Sequence, residues 1–350
     1  MNSFKYLTLL LFLTLWPAGH AVAQCTVASI QFENDIGVGG TDRHYTHGSR
    51  ASCMSENQGA ETSARDVAEA LSFSVGGYSM LDADRDVRYS VALGQTMFTP
   101  EDLTTTDLIV DDRPYAGWLF GSVGLVLGPR FEQKPGSTAF DRMESLQLTL
   151  GVVGPLSGAD RTQKFVHSVI DAQKPRGWRN QLRNEPGVIV EYEQKWRTDQ
   201  WNLLPGSNLL QVDLMPSAGV ALGNVHTYGS VAATFRFGSR LSNDFGPPRI
   251  RPSVAGSEYY EPQPDERLGA YLFLSLGGRA VARNIFLDGN SFRSSHSVEK
   301  KHFVGDLQIG AVVSLWGTAR LSLTHIIRSR EFDEQDSFNQ FSAFSLSFHF

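Results

Sequence analysis

The sequence predicts an all-β fold, a transmembrane antiparallel β-barrel of about twelve strands with a short extracellular helix, and three observations lead there. The C-terminal segment 338–350 alternates, with Phe338, Gln340, Ser342, Phe344, Leu346, Phe348 and Phe350 on one face and Asn339, Ala343, Ser345, Ser347 and His349 on the other. A period of two over a length that crosses a bilayer at a tilt fits a wall strand with lipid outside and a polar lumen inside. A terminal aromatic such as Phe350 is also the usual assembly signal of bacterial outer-membrane barrels. An edge strand of a soluble sandwich has the same period, so this strand alone does not decide.

The N-terminus is the second observation. Lys5, the apolar run Tyr6 to Trp16 and the small-x-small site Ala21-Val22-Ala23 form the three parts of a secretory signal peptide over 1–23, with the barrel domain over 24–350. A lipid anchor on Cys25 competes, but Gln24 stands where a lipobox needs a small residue. Third, beyond residue 23 nothing approaches the roughly 18 to 20 apolar residues of a spanning helix, while period-two alternation recurs. Val87, Tyr89, Val91 and Leu93 alternate with Arg88, Ser90 and Ala92; Leu146, Leu148, Leu150 and Val152 with Ser145, Gln147 and Thr149; Leu321 and Leu323 with Arg320, Ser322 and Thr324. A mean hydropathy of −0.21 would suggest a soluble protein, but lumen-facing polar residues dilute the lipid-facing ones.

Taken in order, the strands are expected near 26–35, 43–54, 86–97, 115–128, 141–154, 186–199, 209–222, 227–240, 267–280, 301–315, 319–330 and 338–350. With both termini in the periplasm, loops 36–42, 98–114, 155–185, 223–226, 281–300 and 331–337 face the exterior. On the periplasmic side, 65–72 suggests a short plugging helix, 200–208 a loop, and the proline-rich 241–266 an extended tether. Cys25 and Cys53, the two cysteines, fall opposite one another if the first hairpin is centred on Gly39, and the oxidising envelope would let them bond. Two cysteines are too few for a zinc site. A net charge of −6 with no basic block gives no reason to expect nucleic acid.

Polar groups converge on the outer rim by strand parity. Asn34-Asp35 ends the first strand, Tyr45-Thr46-x-Gly48 begins the second, Asp111-Asp112-Arg113 precedes the fourth, and Gln163 and His167 lie in the largest outer loop. Each has a plain alternative: Asn-Asp is a common turn initiator, and Asp111 to Pro114 makes a turn with a local ion pair. Residues 160–170, stopped by Pro175, suggest an amphipathic helix in which Asp160 and Gln163 have capping-box spacing, so Gln163 can be a cap, and His167 shares its face. Ester hydrolysis at neutral pH needs a base that titrates near neutrality, which histidine supplies, and positive charge at the oxyanion. Calcium held by hard oxygens such as those of Asp35 and Asn34 would provide that charge. No G-x-S-x-G elbow occurs, so water is expected to attack directly.

These residues bring the chain to a family. The stretches Glu33-Asn34-Asp35, Tyr45-Thr46-His47-Gly48, Leu93 to Pro100, Asp112-Arg113-Pro114-Tyr115-Ala116-Gly117-Trp118, Gly151 to Pro155 and Gln163-x-x-x-His167 resemble, in order and spacing, the outer-membrane lipid A 3′-O-deacylases. The resemblance implies a twelve-stranded barrel and a calcium-dependent esterase that removes the 3′ acyloxyacyl group from lipid A at the outer leaflet. It further implies His167 as general base with Gln163 beside it, Asn34 and Asp35 near the calcium, and Thr46 as another site member. One departure stands out: some members carry a lysine shortly after the Thr/Ser-Pro pair, whereas 101–113 has none and Thr105 is near the equivalent place. Arg113 or the calcium would then serve the oxyanion.

Lipid A phosphates are anionic, so Arg43, Arg161, Arg176, Arg179 and Arg183 are candidate headgroup contacts, with solvated loop charges as the alternative. The chain is expected to act as a monomer at the outer membrane with its site facing the exterior. Two further functions compete: a catalytically weak barrel that binds lipopolysaccharide, and a passive pore, which the inward Arg88, Arg320, Asp306 and Gln308 argue against.

Overall fold

The computed structural model describes residues 25–35, 44–57, 86–129, 141–246, 250, 259–260 and 267–350. The expected signal peptide, Gly39, Arg43 and the helix expected over 65–72 lie outside them. The strands are β1 (Cys25–Asn34), β2 (His44–Ser55), β3 (Asp86–Thr99), β4 (Ala116–Gly128), β5 (Asp141–Val153), β6 (Glu185–Arg197), β7 (Trp201–Leu204), β8 (Ser207–Gly223), β9 (His226–Ser239), β10 (Leu268–Asn284), β11 (Phe303–Leu315), β12 (Ala319–Arg328) and β13 (Asn339–His349). Neighbours in sequence pair antiparallel except β6 and β7, which both pair with β8, and β1 pairs with β13 with Phe32 opposite Phe344. The wall is therefore closed.

Short β7 replaces the loop expected over 200–208. It continues the line of β6 past a break at which the Thr198 N–H donates to Leu214 O (3.0 Å) and the Leu214 N–H to Thr198 Oγ1 (3.0 Å), so β6 and β7 occupy one of twelve wall positions. Gly206, at φ 72°, turns the chain into β8.

The distribution of residues is inverted relative to a water-soluble domain. The outer wall exposes Leu272, Leu274, Leu276, Leu323, Phe344 and Leu93, the last 63 % accessible, whereas Arg113 and Arg236 are among the largest fully buried side chains. Lipid on the outside is the solvent that makes such a surface stable, and closure leaves no strand edge unpaired inside it. No helix among the described residues is long and apolar enough to cross a membrane; the strands do the crossing.

The lumen is filled, not open. Toward the end where β1 begins and β13 ends, Leu241, Ser242, Asp244, Phe245, Tyr259 and Tyr260 are buried within the wall, while the Ile250 N–H donates to Glu33 Oε1 (2.8 Å) nearer the other rim. The described part of 241–266 is thus a plug and not the extended tether the prolines suggest. The reason is charge: Arg236 and Arg320 point inward from the wall, and Asp244 on the plug meets both, at 3.1 and 2.7 Å, while Asp213 takes Arg236 from the side and Tyr271 donates its hydroxyl to Asp244 (3.0 Å). At the opposite rim the one-turn helix α2 (Ile285–Asp288) places Phe286 in a stack on Phe98 at 4.1 Å. Between the two lies a cavity of about 110 Å³ bordered by Arg279, Arg328 and Glu331.

Cys25 and Cys53 form a disulfide, with Cα atoms 5.6 Å apart. The register that suggested it is corrected, since Asn34 pairs with His47 and Cys53 with Ala28, while Cys25 is opposite Ser55 across a bulge. The bond joins staggered positions and uses the thiol that a lipid anchor would require.

Candidate active site

The outer loop between β5 and β6 folds back onto the barrel. Gly154 (φ 99°) and Gly158 (φ 71°), which bracket a 3-10 turn over Pro155–Ser157, adopt left-handed backbone that favours glycine and reverse the chain into α1 (Ala159–Val169). The N-cap is Gly158 with no side-chain cap bond, so the capping box expected of Asp160 and Gln163 does not form. Asp160 instead lies 3.8 Å from Lys164 one turn on. The helix stops where Asp171 turns left-handed (φ 54°), ahead of Pro175.

Helix α1 packs on the outside of the wall. A Cβ on Gly117 would lie 2.2 Å from the Ala159 Cβ, so glycine is what permits the approach, and Gln95 Nε2 donates to Ser157 O (2.6 Å). Met97, Leu103, Tyr115, Ala159 and Trp178 close the contact as one apolar cluster. The face turned to the wall carries Ala159, Gln163 (2 % exposed) and His167 (4 %), whereas Phe165 and Val169, each 68 % exposed, point away. Amphipathic spacing alone would bury the apolar side; here the polar side is buried because protein lies there and lipid lies opposite.

His167 Nδ1 is 2.5 Å from Gln173 O, and a carbonyl only accepts, so Nδ1 carries the hydrogen and Nε2 is the basic nitrogen of the neutral ring. The Trp178 indole N–H donates to Gln163 Oε1 (2.7 Å). On the adjoining strands, Asn34 Nδ2 donates to Thr46 O (3.0 Å), and the Thr46 and Thr99 hydroxyls are 2.7 Å apart. Asn34 has the strand parity of outward Ile30 and Phe32, and Thr99 that of Met97 and outward Leu93. The polar set on β1 to β3 and the helix on β3 and β4 therefore meet on one outer face, with β3 common to both. Asp35 is buried just past the end of β1.

The arginines separate. Arg113 is fully buried, 3.3 Å from Glu331 and stacked between Phe98 and Phe332, so it joins the lumen network and does not reach the helix face. Beside it, burial raises the Asp112 carboxyl above its ordinary value, against the pull of the Glu101 and Arg113 backbone N–H groups. Arg179 is exposed and bonds Asp107 (2.6 Å) and Thr106 O (2.9 Å), which places a cation against the lysine-free segment 101–113. Arg161, Arg176 and Arg183 are exposed. Trp178, Thr99 and Gln95 were not singled out by the sequence; Gln95 and Thr99 stood inside a family stretch, but nothing local marks the indole.

Asp35 and Asn34 offer a carboxylate and an amide oxygen, the donor chemistry of a hard cation, with the amide nitrogen of Asn34 turned to Thr46. Among the described residues no group of three or more His, Cys, Asp or Glu could hold a metal.

The family model for the outer membrane protein LpxR matches residues 7–350. The chain belongs to the LpxR family. Its fold is similar to that of LpxR from Salmonella typhimurium at a TM-score of 0.67 and 17 % identity, covering 93 % of this chain and 100 % of that one. The β domain of the Bordetella autotransporter BrkA is a weaker likeness, with a TM-score of 0.47 and 9 % identity, covering 93 % of this chain and 100 % of that one. A search of curated protein sequences returns no match. The chain is an outer-membrane β-barrel protein.

Proposed function

We propose that this LpxR-family barrel is a calcium-dependent hydrolase that removes the 3′-linked acyloxyacyl group from lipid A at the outer leaflet. The observation that carries it is the placement of His167. The ring is held against the outer face of the wall, with Nδ1 bound to a carbonyl, so that Nε2 is the basic nitrogen. Nε2 takes a proton from water as its oxygen adds to the ester carbonyl carbon. Collapse of the tetrahedral intermediate breaks the bond to the sugar oxygen, which leaves with that proton as the 3′ hydroxyl. Asn34 and Asp35 would hold calcium, which when bound supplies positive charge for the oxyanion. Thr46, fixed by Thr99, sets the position of Asn34 through its backbone oxygen. Arg179 is the described cation best placed for a headgroup phosphate.

Lipid A incubated with the refolded protein, with calcium or with a chelator, tests this by mass spectrometry. Loss of the 3′ acyloxyacyl mass in calcium alone is the expected result. Unchanged lipid A under both conditions would favour the second reading, a barrel that binds lipopolysaccharide without turnover, for which the absence of a lysine from 101–113 speaks. The filled lumen speaks against a pore.

A further inference from the structure

We propose that His47, Ser342 and His325 extend the site into a polar track along the outer wall, which binds the sugar-phosphate headgroup of the lipid A substrate. The inference deepens the deacylase reading, whose site it enlarges. Strand register places the track. Gly117, beneath α1, is opposite Met97, Met97 opposite His47, His47 opposite Asn34, Asn34 opposite Ser342 and Ser342 opposite His325. Directly opposed residues share a face of the sheet. Here it is the outer one: His47 has the parity of exposed Ala51, Ser342 that of exposed Phe344, and His325 that of exposed Leu321 and Leu323. The row turns apolar one strand further on, where Ile309 is opposite His325 and Leu274 opposite Ile309, both exposed.

Two residues along each strand, Leu323, Phe344 and Phe32 are opposite one another and exposed, so the polar row is set in an apolar face. A histidine turned to lipid without a partner is costly. Among the described residues the His47 imidazole has no hydrogen-bond partner, and His325 has one contact, from Nδ1 to Ser342 Oγ at 3.4 Å. Each neutral ring offers a donor and an acceptor, and the serine hydroxyl does the same, which suits hydroxyl, amide and phosphate groups but not acyl chains. From His47 to His325 the row covers three strand spacings, roughly 14 Å at about 4.8 Å each. That is the reach of a headgroup with several polar groups, not of one phosphate. The row ends under α1, so a headgroup laid along it has one end at the helix that carries His167.

Binding of lipid A to the refolded protein in micelles, with a chelator present to prevent turnover, tests this. Side-chain NMR, with the rings identified through His47→Gln and His325→Gln, is expected to show the His47 and His325 Cε1–H resonances shifting with lipid A and not with phosphatidylglycerol at the same concentration. His349, beside Tyr260 at the far end of β13, serves as the unshifted control. Equal shifts with the two lipids, or none with lipid A, would overturn the proposal. The double variant His47→Leu/His325→Leu is expected to bind lipid A about tenfold more weakly, the equivalent of one or two neutral hydrogen bonds. It is expected to unfold no more readily than wild type, because leucine suits a lipid-facing wall. Unchanged affinity, or a loss matched by lost folded protein, would also overturn the track. Wild type that binds lipid A through these residues, yet releases no 3′ chain in calcium, would instead defeat the deacylase reading and leave the track standing.

Discussion

The lumen and the outer rim both bury polar side chains, but they do so in opposite ways. In the lumen, charge meets charge: Asp213 takes Arg236 with both oxygens, Asp244 joins Arg236 to Arg320, and Arg328 bonds Asp306 through two nitrogens. On the rim that carries α1, Asn34, Thr46, Thr99, Gln163 and His167 take part in hydrogen bonds between neutral groups. Paired charges hold a shape and are unavailable for anything else. Neutral hydrogen-bonding groups exchange one partner for another at smaller cost than paired buried charges do. The difference separates the part of the molecule that keeps the barrel shut from the part suited to chemistry.

Substitutions on the two sides should therefore fail differently. The largest effect is expected from His167→Ala: release of the 3′ chain drops by roughly 10²–10⁴-fold, the usual worth of a general base, while heat unfolding of the barrel is unmoved. Retained turnover would remove the contrast altogether. Asp244→Ala should do the reverse. It leaves Arg236 and Arg320 buried without their shared carboxylate and is expected to cost about 3–5 kcal/mol in denaturant unfolding, with turnover per folded molecule little changed.

Two smaller effects sharpen the boundary. Thr46→Val strands the Thr99 hydroxyl; stability should change by about 1 kcal/mol and turnover by about tenfold, and a turnover loss no greater than the loss of folded protein would return Thr46 to a structural role. Arg179→Gln is expected to leave stability within about 0.5 kcal/mol, because its pair with Asp107 is exposed. Its effect should appear as a several-fold rise in KM on lipid A vesicles that shrinks with added salt. An unchanged KM would make Arg179 a loop tie alone.

Much of the wall was legible. Leu321 and Leu323 against Arg320, Ser322 and Thr324 fall on the outer and inner faces as their alternation requires, and the Phe344 face looks outward. The pairing register of the first hairpin was not legible, because turn length and a bulge near Thr26 set it and neither has a periodic signature. The same holds for Asp160 and Gln163, whose capping-box spacing is a local pattern that lost to two left-handed glycines and to packing against Gly117.

By itself, then, the sequence determined the twelve wall positions, their inside and outside, and the set of polar residues at one rim, since a two-residue period and strand parity are properties of a single chain segment. Only the tertiary structure decided which of those residues share a face, that Arg113 belongs to the lumen, that Leu241, Asp244, Phe245, Tyr259 and Tyr260 fill the barrel, and that Trp178 bonds Gln163. Those facts depend on contacts between segments distant in sequence, where the partner of a side chain is chosen by shape and charge across the fold and leaves no mark on its neighbours.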